Sequence, residues 1–281
     1  MTEQNPGSGA ALVACHGAMA AAERVALVTG ATGAMGRAIV DRLANKGSGL
    51  VITDRDSAQL EAFARELFEG HGVPVLAIAA DLLNVDAVQA MVPLIDAHAG
   101  RLDHLVNNAG LNRPQSLEEA TLDDWEAVFA INLRVPMLLA KAAIPLWRRQ
   151  GGGAIVNIGS RVWLSGAVPA YTASKAGLVG LTRSLAVELG PIGVTANVVA
   201  PSFVDTPFTR QNRSQDEIAA MHARALEISP VPRLGCAEDI AGTVAFLLSP
   251  DASYITGEVI HVCGGAQMAA RSTNPVKVME G

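Results

Sequence analysis

The sequence has few cysteines and no excess of positive charge. Three cysteines, Cys15, Cys236 and Cys263, lie far apart in 281 residues, and no C-x-x-C pair is present. Such spacing argues against a disulfide framework and fits a reducing, cytoplasmic environment. The net charge of −6 argues against nucleic acid as a partner.

Other patterns are missing as well. The six histidines show no spacing typical of metal ligands, so no metal is expected. No stretch approaches the eighteen or more apolar residues that a membrane-spanning helix requires, and we expect no membrane association. The first 22 residues lack a basic segment, which argues against a secretory signal.

Both ends of the chain differ in composition from its middle. Residues 1–22 contain Gly, Ser and Pro near the start, which predicts a flexible extension. Met19 lies five residues before the first apolar run at Arg24, so we hypothesise that the natural start is Met19. Intact mass of the protein from its native host tests this. Residues 267–281 read as a polar tail, disordered or wrapped onto a neighbouring subunit.

Between these ends, short apolar runs alternate with helical patterns. The runs are RVALVT, GLVIT, VPVLAIA, HLVN, GAIVNI, VTANVVA and EVIHV. This alternation predicts one α/β domain over residues 23–266, a Rossmann-like doubly wound parallel sheet of about seven strands with helices on both faces. We find no internal repeat and no linker that divides the domain.

The first apolar run leads into a glycine-rich turn. Gly30, Gly33 and Gly36 recur every third residue, and an apolar helical stripe follows them. A turn without side chains lets backbone N–H groups approach a pyrophosphate at a helix N-terminus. We therefore predict that the turn binds a dinucleotide, with Thr32, Ala34 and Met35 as the intervening contacts.

The end of the second run bears on the choice of cofactor. Asp54 stands eighteen residues beyond Gly36, where a carboxylate can accept hydrogen bonds from the adenosine ribose and repel a 2′-phosphate. Arg55 is adjacent and offers a competing phosphate contact, while Asp54 has an alternative use as the cap of a helix near Ser57. Because no Lys or Arg lies between Gly30 and Gly36, the sequence favours NAD over NADP.

Tyr171 and Lys175 form the pair most informative about chemistry. Residues four apart on a helix share one face, and a fixed ammonium beside a phenol favours the phenolate. We therefore expect Lys175 to lower the pKa of Tyr171 towards the range useful for general acid-base catalysis. The pattern Y-x-x-x-K is common by chance, so its weight depends on the motifs around it.

Taken together, these motifs resemble the short-chain dehydrogenase/reductase family from Arg24 to Gly265. The further matching positions are the NNAG segment with Asn108, Ala109 and Gly110; Asp81, with Leu82 beside it; Asn132; Ser160; and Pro201, Val204 and Thr206 in PSFVDTPF. The resemblance implies a nicotinamide cofactor held by these residues. Three positions depart from the family pattern: Ala34 and Ser202 each replace a glycine, and Cys263 replaces an aspartate.

The resemblance also implies roles for four catalytic residues. Tyr171 exchanges a proton with the substrate oxygen, and Lys175 tunes Tyr171 and binds the nicotinamide ribose. Ser160 holds the substrate oxygen, and Asn132 anchors a water that connects Lys175 to solvent. Ser165 is a weaker rival for the serine role, because the interval from Ser160 to Tyr171 is about two residues shorter than is common in the family.

The implied reaction is the interconversion of a secondary alcohol and its ketone. The pocket is expected to be framed by residues 111–114, 161–164 and a lid over residues 203–232, with Trp163, Phe203 and Phe208 as apolar lining. Arg113 and Arg161 leave open an acid-binding alternative, but the sequence favours a hydrophobic or modestly polar substrate.

Three alternatives to this reading remain open. One is a 3-oxoacyl thioester reductase that uses NADPH; another is a silent nucleotide-binding scaffold; the third is a non-redox isomerase or lyase on the same fold. The resemblance further implies a homotetramer, or a homodimer, formed partly by the helix over residues 123–149 and the helix that carries Tyr171.

Overall fold

The structure, a computed structural model, describes residues 9–210 and 213–268. Eight strands form one sheet in the order β1-β4-β3-β2-β5-β6-β7-β8, and every neighbouring pair is parallel except β1 and β4. The strands are β1 Ala10–His16, β2 Val25–Thr29, β3 Gly49–Asp54, β4 Val75–Ala80, β5 His104–Asn107, β6 Gly153–Ile158, β7 Val194–Pro201 and β8 Val259–Val262.

Ten α-helices connect the strands and cover the sheet. They are α1 Ala34–Ala44, α2 Ser57–His71, α3 Val85–Ala99, α4 Leu122–Phe129, α5 Val135–Gln150, α6 Val162–Ser165, α7 Pro169–Leu189, α8 Pro207–Arg210, α9 Gln215–Ile228 and α10 Ala237–Leu247. Helices α3, α5 and α7 contribute to one apolar cluster, and α1, α2 and α10 contribute to another. The predicted doubly wound α/β fold, with helices on both faces, is confirmed.

The central strands are mainly apolar because both of their faces are covered. In β2, Leu27 belongs to one cluster while Ala26 and Val28 belong to the other, as the alternation of side chains along a strand requires. All five residues of β2 are buried. This explains why the strands appear in the sequence as continuous apolar runs rather than as alternating patterns.

The sheet contains one strand more than the sequence predicts. Residues 10–16, assigned to a flexible extension, form β1 and pair antiparallel with β4. Met19, in the following short 3-10 helix, is only 2% exposed. The prediction of flexibility is therefore wrong for this stretch, because the sequence ALVACH gains its order from β4, which lies about sixty residues away. Residues 1–8 lie outside the described residues.

The helical segment Leu122–Gln150 is longer and more apolar than the sequence analysis allowed. It has a mean hydropathy of 1.6, which is enough by length and composition alone to cross a membrane, and 44% of its most apolar window is buried. Helix α5 contributes Leu139, Ala140 and Trp147 to the apolar core. The prediction that no stretch approaches a membrane-spanning helix in length and composition is therefore wrong, and packing of α5 in the apolar core accounts for the pattern.

The strand order reverses beside β2. Its neighbours are β3 on one side and β5 on the other, so the connections leave β2 and β5 in opposite directions across the sheet. Open parallel sheets bind ligands in the crevice that such a reversal creates at the carboxyl ends of the strands. The glycine turn and the segment after β5 therefore meet at one edge.

Candidate active site

The glycine turn is held in place by the segment that follows β5. Asn108 donates from Nδ2 to the carbonyl oxygens of Thr29 and Gly30, each at 3.0 Å. The backbone N–H groups of Asn108 and Ala109 donate to Thr29 Oγ1 at 3.1 and 3.0 Å. Two motifs about eighty residues apart thus form one structure, and this fixes the shape of the turn.

Gly36 is required by close packing inside the turn. A Cβ atom at Gly36 would lie 2.1 Å from the carbonyl oxygen of Gly30 and 2.8 Å from Cα of Ala31. A Cβ atom at Gly33 would meet only the Gly30 oxygen, at 3.5 Å, which is an ordinary contact. Gly36 therefore serves the fold of the turn, while Gly33 leaves open space at the start of α1.

Asp54 ties the end of β3 to the same turn. Its Oδ2 accepts from the Thr32 hydroxyl at 2.6 Å and from the Thr32 backbone N–H at 3.1 Å. The cap of α2 is not Asp54 but Asp56, which accepts from the backbone N–H of Gln59. The alternative use of Asp54 as a helix cap is therefore wrong.

A cavity of about 430 Å³ runs along this edge. Thirteen of the predicted cofactor residues line it together with Ser160, Tyr171 and Lys175: Gly30, Thr32, Gly33, Ala34, Met35, Gly36, Asp54, Asn108, Ala109, Gly110, Pro201, Val204 and Thr206. Arg55, Asp81 and Leu82 do not line it. Asp81 instead accepts from the backbone N–H of Leu83, and Leu82 packs in the core.

Six lining residues were not predicted to bind the cofactor: Gln59, Ile158, Gly159, Ser202, Pro207 and Thr209. Of these, Ser202 departs from the family pattern, and Pro207 and Thr209 fall within the predicted lid. Most of them flank residues that were identified, so the strand ends around each motif were the available signal. Gln59 had no such signal, because it reaches the cavity only through the position of α2.

The cavity has the features that a dinucleotide requires. Asn108 Oδ1 is buried and has no hydrogen-bond partner among the described residues, so an acceptor remains for a ligand hydroxyl. Within the described part of the chain, Asp54 is its one acidic lining residue and Lys175 its one basic lining residue. A glycine turn at a helix N-terminus, an acceptor and a carboxylate fit a nicotinamide dinucleotide.

Helix α7 presents Tyr171 and Lys175 to this cavity. Lys175 is only 3% exposed, and its Nζ donates to the carbonyl oxygen of Ile158 at 2.7 Å. Burial lowers the pKa of Lys175 to about 8, because the charged ammonium loses its hydration. The lysine therefore changes charge close to neutral pH.

The pKa of Tyr171 departs from the sequence expectation. Burial raises this pKa above its ordinary value, and the hydrogen bond with Ser160 opposes the rise. Lys175 Nζ lies 5.6 Å from the centre of the Tyr171 ring and bonds to Ile158 instead. The expected lowering by Lys175 is thus wrong for the protein without ligand, since desolvation is the larger effect, and Tyr171 is held as a protonated phenol.

Asn132 lies in an irregular turn between α4 and α5. Residues Ala130–Arg134 form a π-helical turn, which often marks a functional site. The Asn132 side chain exchanges two 2.9 Å hydrogen bonds with the backbone of Leu111 and donates to Ser174 Oγ at 3.0 Å. It therefore joins the loop after β5 to α7, one turn from Tyr171, rather than bonding within its own helix.

The two candidate serines occupy different environments. Ser160, two residues after β6, lines the cavity beside Tyr171, and its side chain acts to lower the pKa of the Tyr171 phenol. Ser165 ends the short helix α6 and is exposed. Only Ser160 is therefore close enough to Tyr171 to share a substrate oxygen with it.

A buried chain of amides behind the site was not predicted. Asn107 Nδ2 donates to Asn157 Oδ1 at 2.7 Å, and Asn157 Nδ2 donates to Thr182 Oγ1 at 2.8 Å. These bonds join β5, β6 and α7, and all three residues are at most 3% exposed. Polar residues inside apolar strand patterns were the available signal, because such groups need partners.

A second cavity, of about 810 Å³, opens from the first beneath α9. Ser160, Tyr171, Ser202 and Thr209 line both cavities, so the larger space meets the smaller at the catalytic groups. Phe203 lines the larger cavity as predicted. Trp163 does not line it, and its Nε1 donates to His261 Nε2 at 3.2 Å. Residues 211 and 212 of the predicted lid, and the side chain of Phe208, lie outside the description.

Comparison with known proteins gives one family model and many relatives. The family model described as enoyl-(acyl carrier protein) reductase matches residues 30–267. The chain is 40% identical over 249 residues to the (2S)-[(R)-hydroxy(phenyl)methyl]succinyl-CoA dehydrogenase subunit BbsD of Thauera aromatica, covering 88% of this chain and 98% of that protein. It is 39% identical to the 3-oxoacyl-[acyl-carrier-protein] reductase FabG of Aquifex aeolicus, covering 86% and 96%.

Solved structures give the same picture. A protein from Sinorhizobium meliloti superposes on this chain with a TM-score of 0.81 at 34% identity, covering 89% of this chain and 98% of that one. It is provisionally named a short-chain alcohol dehydrogenase. The L-sorbose reductase of Gluconobacter frateurii, solved with NADPH and L-sorbose, gives 0.81 at 29% identity, covering 89% and 98%.

Proposed function

Because the chain belongs to the short-chain dehydrogenase/reductase family, we propose that it is an NAD-dependent oxidoreductase that interconverts a secondary alcohol and its ketone. The observation that carries this proposal is the junction of two cavities at Ser160 and Tyr171, with Lys175 buried in the wall of the smaller one. One cavity fits a dinucleotide, and the other is open to a second molecule.

Tyr171 supplies the proton in this proposal. When bound, the nicotinamide ring supplies a hydride to the carbonyl carbon or accepts one from the carbinol carbon. In reduction, the raised pKa keeps the Tyr171 hydroxyl protonated, so it donates its proton to the oxygen that gains charge. In oxidation, the tyrosinate accepts the alcohol proton, and alkaline pH favours this direction.

Ser160 and Asn132 act on Tyr171 and its surroundings in different ways. Ser160 and Tyr171 both line the junction of the two cavities, so a substrate oxygen placed between the two hydroxyls is oriented and its developing charge is stabilised. Asn132 fixes the loop at Leu111 and the turn of α7 at Ser174, which makes it a positioning residue. Lys175 supplies positive charge below its pKa of about 8.

The preference for NAD rests on the charge of the smaller cavity. Asp54 stands in its wall, bonded to Thr32, and neither Arg37 nor Arg55 lines the cavity. Arg37 pairs with Glu66 at 3.3 Å and lies over the Phe63 ring. A 2′-phosphate would therefore meet a carboxylate without a lining cation. The L-sorbose reductase solved with NADPH makes NADP the cofactor to test against.

A 3-oxoacyl thioester reductase is the second candidate. The cavity of about 810 Å³ has room for an acyl thioester and its arm, and two relatives carry acyl-carrier-protein or CoA thioesters in their names. This reaction is the same ketone chemistry on a larger substrate. Comparing 3-oxoacyl thioesters with simple ketones separates the two candidates.

Assembly and location also remain proposals. We propose a homotetramer, or a homodimer, formed partly by α5 and α7; exposed Met137 and Val187 on these helices support it. Sedimentation that shows only monomer at micromolar concentration would contradict it. The one long apolar helix packs in the core, in keeping with a cytoplasmic protein.

The proposed function is tested by a panel of ketones, alcohols and 3-oxoacyl thioesters assayed in both directions with NAD(H) and NADP(H). We expect an absorbance change at 340 nm with at least one class and a higher kcat/KM with NAD(H). No turnover with either cofactor would favour a silent scaffold or a non-redox enzyme.

A further inference from the structure

The larger cavity carries more positive charge than the predicted apolar lining would give it. Among the residues that the structure describes, four arginines line it, Arg113, Arg161, Arg213 and Arg224, and Glu217 is the one acidic lining residue. The whole chain carries a net charge of −6. A local excess of positive charge in a negative protein attracts anionic ligands into the cavity.

Two of these arginines form ion pairs with acidic residues. Arg113 pairs with Asp124 at 3.1 Å, and Arg224 pairs with Glu227 at 3.2 Å. Arg213, near Glu217, donates to the carbonyl oxygen of Thr209. Arg161 differs from the paired arginines, because none of the acidic residues that the structure describes forms an ion pair with it.

Arg161 is held by neutral groups and keeps donors in reserve. Its Nε donates to Ser202 Oγ at 3.3 Å and its Nη1 to the Ala266 carbonyl oxygen at 3.4 Å, both longer than ordinary N–H···O bonds. A guanidinium has five N–H donors, so Nη2 bonds to nothing within residues 9–210 and 213–268. A half-buried cation with open donors is well suited to a planar two-oxygen acceptor.

The position of Arg161 sets where such an acceptor would lie. Arg161 directly follows Ser160 in the chain, and its backbone N–H is fixed to the Pro201 carbonyl oxygen at 2.7 Å. Its partner Ser202 lines both cavities. The guanidinium is therefore held in the wall of the larger cavity, beside the junction that Ser160, Tyr171 and Ser202 line.

We infer that Arg161 binds a carboxylate of the substrate, so that the preferred substrates are oxo acids and their hydroxy acids, with the acid group a few bonds from the reacting carbon. This inference rests on the proposed function and narrows its substrate class. It reverses the sequence-based preference for a hydrophobic or modestly polar substrate, because the arginine lacks the acidic partner that a solvated surface arginine commonly finds.

The test compares acids with their methyl esters at equal chain length. Acetoacetate, levulinate and 5-oxohexanoate are assayed beside the matching esters with the wild-type protein and with Arg161→Gln. A charged hydrogen-bonded pair justifies about a 10- to 100-fold effect. We expect at least one acid to exceed its ester in kcat/KM, and Arg161→Gln to reduce the acid-to-ester ratio by that factor.

Two further variants control for other effects of the substitution. Arg161→Lys keeps the positive charge but loses the planar guanidinium that can bind two oxygens at once. It should therefore restore part of the acid-to-ester ratio of kcat/KM. Arg65→Gln removes an exposed charge from α2, which contributes to the opposite cluster, and should leave the ratio unchanged. The inference is overturned by an acid-to-ester ratio of one or below in the wild type. It is equally overturned if Arg161→Gln slows acid and ester alike.

A third comparison tests whether Arg161 binds a phosphate of a thioester carrier or a carboxylate of the substrate itself. If Arg161→Gln lowers turnover of acetoacetyl-CoA but not of the phosphate-free N-acetylcysteamine thioester or of the oxo acids, Arg161 binds a carrier phosphate and the inference is wrong. Binding is measured separately by calorimetry with levulinate and methyl levulinate in Tyr171→Phe. Preferential binding of levulinate, lost on adding Arg161→Gln, supports the inference even if no ketone is reduced; equal binding contradicts it.

Discussion

Helices α7 and α9 border the same cavity but are built differently. Helix α7 has nine buried residues, including Lys175, whereas α9 has none. The groups proposed for proton transfer are thus set into the core, whereas the helix that lines the larger cavity packs lightly. Low burial allows local motion at small free-energy cost, so chemistry and substrate selection are assigned to regions of different rigidity.

The largest expected effect comes from the rigid side. Tyr171→Phe removes the hydroxyl and retains the ring, so kcat should fall by about 100- to 10,000-fold, as for loss of a general acid. Binding of the dinucleotide, followed by fluorescence titration, should change little because most lining residues remain. Retained turnover in this variant would refute the proposed proton transfer.

Two glycines of the turn differ in their importance for the stability of the fold. Gly36→Ala places a Cβ atom 2.1 Å from the Gly30 oxygen and should destabilise the protein by about 1–3 kcal/mol or more, the usual cost of overpacking. Gly33→Ala meets only a 3.5 Å contact, so it should keep its free energy of unfolding. Urea unfolding of both variants decides this, and equal losses would contradict the distinction.

Lys175, on α7, makes the free energy of unfolding of the protein depend on pH. Its pKa is about 8 in the folded protein against an ordinary 10.5, so between these values the unfolded chain binds more protons. Stability contributed by this group therefore rises as pH increases from 8 to 10.5. Lys175→Met should abolish that rise and, at pH 7, stabilise the fold by about 1–3 kcal/mol while removing activity.

Urea unfolding at pH 7 and pH 9.5 measures this difference. Lys46→Met, at an exposed position near the end of α1, is the matched control and should retain the pH dependence. A Lys175→Met protein that unfolds like wild type at both pH values would argue against a buried ammonium.

The smallest effect is expected on α9. Met221 lines the larger cavity and is not fully buried, so Met221→Ala should raise KM several-fold and change the free energy of unfolding by less than about 1 kcal/mol. Leu178→Ala on α7, at a position 1% exposed, should cost about 2–5 kcal/mol. Similar stability losses in both variants would remove the contrast between the helices.

Local sequence patterns determined most of the architecture. All seven predicted strands are present, because each is a short, mainly apolar run of the kind that strands of a doubly covered parallel sheet show. The positions of Gly30 to Gly36, Ser160, Tyr171 and Lys175 also followed from spacing and family resemblance, and these residues share one cavity. Local periodicity and short motifs carry this information without knowledge of distant contacts.

Tertiary structure decided what depends on distant partners. Strand β1 is ordered by β4, and the pKa of Tyr171 reflects burial more than the lysine four residues away. Trp163 turns to His261 rather than to the substrate cavity. Arg161 is a candidate to bind a substrate carboxylate only because its partners in the folded chain are a hydroxyl and a carbonyl group instead of a carboxylate. The desolvation of a side chain and its hydrogen-bond or ion-pair partners depend on residues that are distant in the sequence. The spacing of a motif therefore does not predict them.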